Sequence, residues 1–238
     1  MFRSPSTPTS PPVIDAEKNL SIGAIVVYLN QKLPNFPGYV ANRVVKKNMA
    51  AEKKISRELC LFLNSIGSNQ EDISLFHFYP EWDYDNSHRS SDLAVIDVKS
   101  YAASNGPAET FFVIEAKRLP TPGKTREREY VEGNLGGIQR YKKGHHGKDL
   151  SESAIVGYIQ KNDPIYWLGQ INGWIDDLIN TNTNTNTNTD TDIDWETDDK
   201  LVFDLDITAG KKYRSNNTRI VNSKRDKIIL HHYLLNLN

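Results

Sequence analysis

Phe111-Phe112-Val113-Ile114-Glu115-Ala116-Lys117-Arg118-Leu119 decides how the chain is read. Side chains alternate faces along a strand, so Phe111, Val113, Glu115 and Lys117 share one side and Phe112, Ile114 and Ala116 the other. The first half is almost uniformly apolar, which predicts a central strand from Thr110 to Leu119. A carboxylate and an amine then emerge side by side at its end. Such groups are costly to desolvate unless they are paired or bound to a cation. A Glu-x-Lys pair also occurs wherever an ordinary strand leaves a core.

Asp92 sharpens the reading. It begins the preceding strand, Leu93 to Val98, in Arg89-Ser90-Ser91-Asp92-Leu93-Ala94. If the two strands pair, their backbones lie roughly 4.8 Å apart, and two carboxylates that close can share one hard cation. Magnesium suits such oxygen sites and often takes only one or two carboxylates. Glu52 is the third element. A helix from about Ala41 to Ile66 places Val45, Met49, Ile55, Leu59, Leu63 and Ile66 on one stripe, with Glu52 among them. A carboxylate facing a sheet asks for a partner.

The rest of the chain supplies layers. Ile73 to Tyr79 reads as a strand whose continuation Pro80 weakens. Tyr130 to Lys143 is helix-like, Ser153 to Gln160 a strand, and Ile165 to Ile179 a helix carrying Trp167 and Trp174. Leu201 to Thr208 and Lys227 to Leu237 read as two late strands. Helix, three strands, helix, strand, helix and a strand pair predict an α/β architecture with a mixed sheet flanked by helices. Residues 1–15 read as a disordered tail, 16–238 as one domain, and the Thr/Asn alternation within 180–199 as a low-complexity loop.

With 238 residues and one cysteine, Cys60, the chain has no intramolecular disulfide, a pattern that predicts a reducing, cytoplasmic setting. No apolar run approaches a membrane span, and Ser4 to Pro12 lacks the core of a signal peptide. The net charge is −1, yet 117–148 carries a net +6, 211–227 a net +6 and 190–206 a net −7. The total excludes a histone-like polycation and leaves room for local polyanion binding. On charge alone, solvated surface is the preferred reading.

A helix Glu, then Asp, then (Asp/Glu)-x-Lys on consecutive strands resembles the PD-(D/E)XK nuclease superfamily, the restriction-endonuclease-like fold. The resemblance runs from about Ala41 to Gln160 and implies an αβββαβ core, here with an extra C-terminal strand pair. Ser91 stands where many members have Pro. Gln139 matches a glutamine that many members carry on the next helix. The resemblance implies that Asp92, Glu115, the carbonyl of Ala116 and Glu52 would hold Mg²⁺, with Mn²⁺ as a substitute. Lys117 would orient or deprotonate the attacking water and stabilise the phosphate, and Gln139 would steady Lys117 or the DNA backbone. The implied activity is endonucleolytic hydrolysis of DNA, in restriction, anti-phage defence or repair, with RNA as the alternative substrate and homodimerisation as a common family trait.

Basic residues following the motif gain meaning from it. Arg118, Lys124, Arg126, Arg128, Arg140, Lys142 and Lys143 are candidates for phosphate contacts, stronger as a group than singly. Two other function classes stay open: a catalytically silent nuclease fold binding nucleic acid or a partner protein, and a protein–protein module using the Trp-rich helix. Asp97-Val98-Lys99 repeats the motif on a single strand and ranks as a decoy. His145-His146 and His231-His232 make a poor structural zinc site without cysteine, and His232 reads as a core histidine.

Overall fold

A computed structural model describes residues 13–43, 52–67, 76–83, 90–97, 110–133, 135–182, 193–221 and 224–238. Three helices come first: α1 (Val13–Lys32), α2 (Phe36–Arg43) and α3 (Glu52–Gly67). Strands β1 (Phe76–Asp83), β2 (Ser90–Asp97) and β3 (Thr110–Leu119) follow. After them come α4 (Gly137–Lys142), β4 (Glu152–Ile159), α5 (Pro164–Asn182), β5 (Val202–Ile207), β6 (Gly210–Val221) and β7 (Lys224–Asn236). Among the described residues seven strands form one mixed sheet in the order β1-β2-β3-β4-β7-β6-β5. The protein is thus α/β with an open mixed sheet flanked by helices.

The central strands β3, β4 and β7 run parallel, and antiparallel strands extend the sheet on both sides. Parallel strands are buried on both faces, and β3 and β4 are buried at almost every position. On one face Phe112, Ile114 and Ala116 pack with Ile25 and Leu29 of α1 and Leu59 and Leu63 of α3. On the other, Val113 and Ile155 pack with Ile138 of α4 and Ile171 and Ile175 of α5. From Phe112 onward the alternation expected of β3 divides its side chains between these two cores; Phe111, expected on the face of Val113, packs instead with Phe112, because a bulge in the β2–β3 ladder falls there.

Several expectations change. Val13–Lys32 is a helix, although its sequence lacks the clean apolar stripe that marks α3. β1 continues through Pro80, and it can because β1 is an edge strand with one side free of ladder bonds. The strand pair at the C-terminus is a set of three: β6, rich in Lys, Arg, Asn and Ser, pairs with β7 over its whole length. Within 180–199, α5 runs to Asn182, and Trp195 and Asp199 are buried. Of the tail expected at 1–15, residues 13–15 open α1 and 1–12 lie outside the described residues; of the helix expected from Ala41, residues 41–43 end α2 and 44–51 lie outside them, as do Val98 and Lys99. Among the described residues no helix is long and apolar enough to cross a membrane.

The charged blocks partly cancel in space. Lys211 pairs with Asp206, Lys212 with Asp204 at 2.8 Å, Arg219 with Asp226 at 2.6 Å and Lys227 with Asp198 at 3.5 Å. Asp198, Asp204 and Asp206 of the acidic segment thus pair with Lys227, Lys212 and Lys211 and partly neutralise the basic one.

Candidate active site

The site forms where β2 and β3 separate. Their ladder runs from Ile96–Thr110 to Leu93–Ile114 and stops. Backbone amides alternate sides along a strand, so the N–H groups of Ala116 and Arg118 point to the side β2 has vacated. Buried amides require partners. The Asp92 carboxylate accepts from the Ala116 amide at 2.8 Å, and the Glu52 carboxylate accepts from the Arg118 amide at 2.9 Å. Two acidic side chains thus continue the hydrogen bonding of an absent strand. Asp92 falls directly across from Glu115 by register, and Glu52 arrives as the first residue of α3.

Glu115 and Lys117 are only 1% and 3% exposed, so neither reaches bulk water. Lys117 Nζ donates to Glu115 Oε1 at 2.8 Å and lies 3.8 Å from Glu52 Oε1. Arg140 of α4 also donates to Glu115 Oε1, at 3.1 Å. Gly136 places this helix: a Cβ there would lie 2.4 Å from the Glu132 carbonyl carbon.

These contacts set the protonation. Burial, joined by the charge of Glu115, pushes Asp92 up to about 8 against the pull of Lys117. Burial also raises Glu52. For Glu115 burial opposes ionisation, but adjacent cations, Lys117 foremost, hold it below the ordinary carboxylate range. Burial works against a charged Lys117 too, and Glu115, Glu52 and Asp92 outweigh it, so its pKa rises. Burial, joined by the charge of Glu115, thus favours the protonated form of Asp92 near neutral pH.

Glu115 Oε2 is buried without a hydrogen-bond partner. An orphaned carboxylate oxygen beside a second carboxyl suits a hard divalent cation that takes one or two carboxylates and keeps its waters. No group of three or more His, Cys, Asp or Glu is arranged to hold a metal ion among the described residues. The donors present are two neighbouring carboxyls with one unpaired oxygen, and they make no closed cage of protein ligands.

The other candidates spread out. Gln139 Oε1 accepts from the Gly133 amide at 2.7 Å and no hydrogen bond joins it to Lys117, so it holds a turn. Arg140 serves Glu115. Lys142 is 1% exposed and is committed to Asp199 at 2.7 Å, beside the Trp195 ring. Arg126 is held by Glu129 at 2.5 Å; Arg128 by Glu132 at 2.8 Å and the Trp174 carbonyl at 2.7 Å. Arg118 donates to Gln160 at 3.0 Å, and Lys143 is exposed. Lys124, Arg126 and Arg128 border an open pocket of about 480 Å³ together with Glu129 and Leu135.

His232 is a core histidine, bridging Tyr130 at 3.0 Å and Ser215 at 2.8 Å. His146, considered from sequence only as a poor zinc ligand, faces the cluster: its Nε2 lies 3.4 Å from Glu115 Oε2. Its signal was the flanking pair Gly144 and Gly147, both with positive φ, which turn the chain inward. Comparison of the chain with protein-family models, with curated proteins and with solved structures finds no match in any of the three.

Proposed function

We propose that the chain is a divalent-metal-dependent nuclease of the PD-(D/E)XK type, hydrolysing phosphodiester bonds of DNA. The observation carrying this reading is the meeting of Glu52, Asp92, Glu115 and Lys117 where β3 outruns β2. The element order α3-β1-β2-β3-α4-β4 supports a restriction-endonuclease-like core. The site also lies toward the carboxyl end of a central strand, where open α/β sheets bind ligands.

Asp92, Glu115 and the Ala116 carbonyl would hold a divalent cation, which would supply Lewis acidity and an activated water. Asp92 would have to give up its proton to join in that binding. Glu115, already ionised, offers its second oxygen. Lys117 carries its proton and stabilises the negative charge building on the scissile phosphate. Glu52 holds the Arg118 amide, and so the strand end, in place while its other oxygen faces Lys117. Lys124, Arg118 and Lys143 are the cations left to meet flanking phosphates, and they make binding salt-dependent.

The test is cleavage of supercoiled plasmid in Mg²⁺ by the wild type, Asp92→Asn and Lys117→Met. Nicking by the wild type alone is expected. Equal nicking by all three contradicts the assignment. A silent nuclease-fold binding module is the second reading, favoured by the engagement of Glu115 with two cations; binding of DNA without cleavage in either Mg²⁺ or Mn²⁺ selects it.

A further inference from the structure

His146 and Glu115 meet in an arrangement that the roles above leave unused. Glu115 Oε1 takes both Lys117 and Arg140, whereas Oε2 has no hydrogen-bond partner. His146 is 0% exposed, and neither of its ring nitrogens has one either. The two orphaned groups face each other at 3.4 Å, just beyond the usual hydrogen-bond range. Buried polar atoms left unpaired bear their full desolvation cost. A slight approach and turn of the ring would pair them.

The ring is held for this contact from several sides. Tyr141 meets it edge-on at 5.7 Å, and the Tyr141 hydroxyl is itself fixed by the Ala154 carbonyl at 3.1 Å. The turn carrying His146 is pinned at both ends: the His145 amide bonds the Arg140 carbonyl at 2.8 Å, and buried Arg219 donates to the Gly147 carbonyl at 2.6 Å.

We propose that His146 is a positioning residue for Glu115. Its Nε2–H holds Oε2 while Lys117 and Arg140 hold Oε1, so the carboxylate cannot turn. Because Glu115 is then presented to the cation in one orientation, metal affinity depends on a histidine that does not ligate. A ligand role is less well supported. A ligating imidazole normally donates its second N–H to an acceptor, and His146 Nδ1 has none among the described residues. The inference rests on the metal-dependent reading above.

Two measurements on the whole chain test it. In a long-range ¹H–¹⁵N spectrum of the metal-free protein, His146 is expected as the Nε2–H tautomer, with a signal altered by Glu115→Gln. The Nδ1–H tautomer, or averaging between the two, overturns the contact. Replacement of the Nε2 proton on adding Zn²⁺ shows direct ligation and overturns the positioning role. In Mn²⁺ titrations, His146→Phe keeps the ring volume and lacks the donor, and its affinity is expected to fall about 10–100-fold, as for other groups that orient ligands. His146→Gln is expected to recover most of the loss. Equal Mn²⁺ affinity in wild type and His146→Phe overturns the positioning role alone. Absence of Mn²⁺ binding to the wild type overturns the metal reading and this role with it.

Discussion

The Asp92 carboxylate accepts a hydrogen bond from the Ala116 backbone amide at 2.8 Å, across a gap where β2 no longer pairs with β3. That bond holds a protonatable group beside Glu115 and Lys117. It also makes the end of β3 depend on side chains from two other elements, and the following predictions come from that dependence.

Stability of the metal-free protein is expected to fall as pH rises toward about 8 and to level off above it. Asp92 titrates near 8 in the folded chain, against 3.8 ordinarily. Between those values the native state binds a proton that the unfolded state has released, so raising the pH disfavours folding. His146 and His232, held down to about 4 and about 3 by burial, are neutral in the folded chain here, and their unfolded forms, at the ordinary 6.5, add an opposite slope that dies away above neutral pH. Thermal melts check this. Asp92→Asn should flatten the slope and melt higher at pH 9, by about 2–4 °C per kcal/mol gained. Saturating Mn²⁺ should raise the wild-type midpoint there and leave Asp92→Asn unmoved.

Glu52→Gln keeps an oxygen for the Arg118 amide and removes the charge 3.8 Å from Lys117. The expected result is a folded protein that cleaves about tenfold more slowly, or about 1.4 kcal/mol in the barrier. Glu52→Ala additionally orphans the Arg118 amide, and urea melts should show a loss of about 1–3 kcal/mol.

The Lys142–Asp199 pair, with both side chains 0% exposed, anchors the segment after α5 to α4. Lys142→Met alone leaves a buried, unpaired carboxylate and should cost about 3–5 kcal/mol. Adding Asp199→Leu should return most of that stability. Denaturant midpoints of the single and double variants measure both.

Gly136→Ala should lower stability by about 1–3 kcal/mol, because its Cβ meets backbone rather than a movable side chain. Mn²⁺ affinity should fall with it, since α4 carries Arg140 to Glu115.

How far the sequence revealed this structure depends on where each signal resides. β3 was legible because its apolar run and final Glu-x-Lys are contiguous, and Asp92 was legible because it opens the neighbouring strand. Glu52 was recognised as inward, but not that it would take a backbone amide. β6 was missed because its polar side chains bond to other side chains, as Ser215 does to His232 and Lys212 to Asp204, and this leaves no apolar period. Arg140 and Lys142 looked like phosphate ligands because charge composition does not show partners 25 and 57 residues away. His146 depended on two positive-φ glycines whose effect appears only in three dimensions.

The most direct test counts bound Mn²⁺ at pH 8 from the paramagnetic resonance of the free ion. The wild type should bind one ion per chain, more tightly as Asp92 loses its proton, and both Asp92→Asn and Glu115→Gln should abolish that binding. A wild-type chain that leaves all the Mn²⁺ free, or variants that bind as it does, would contradict the claim that these carboxyls are gathered for a divalent ion.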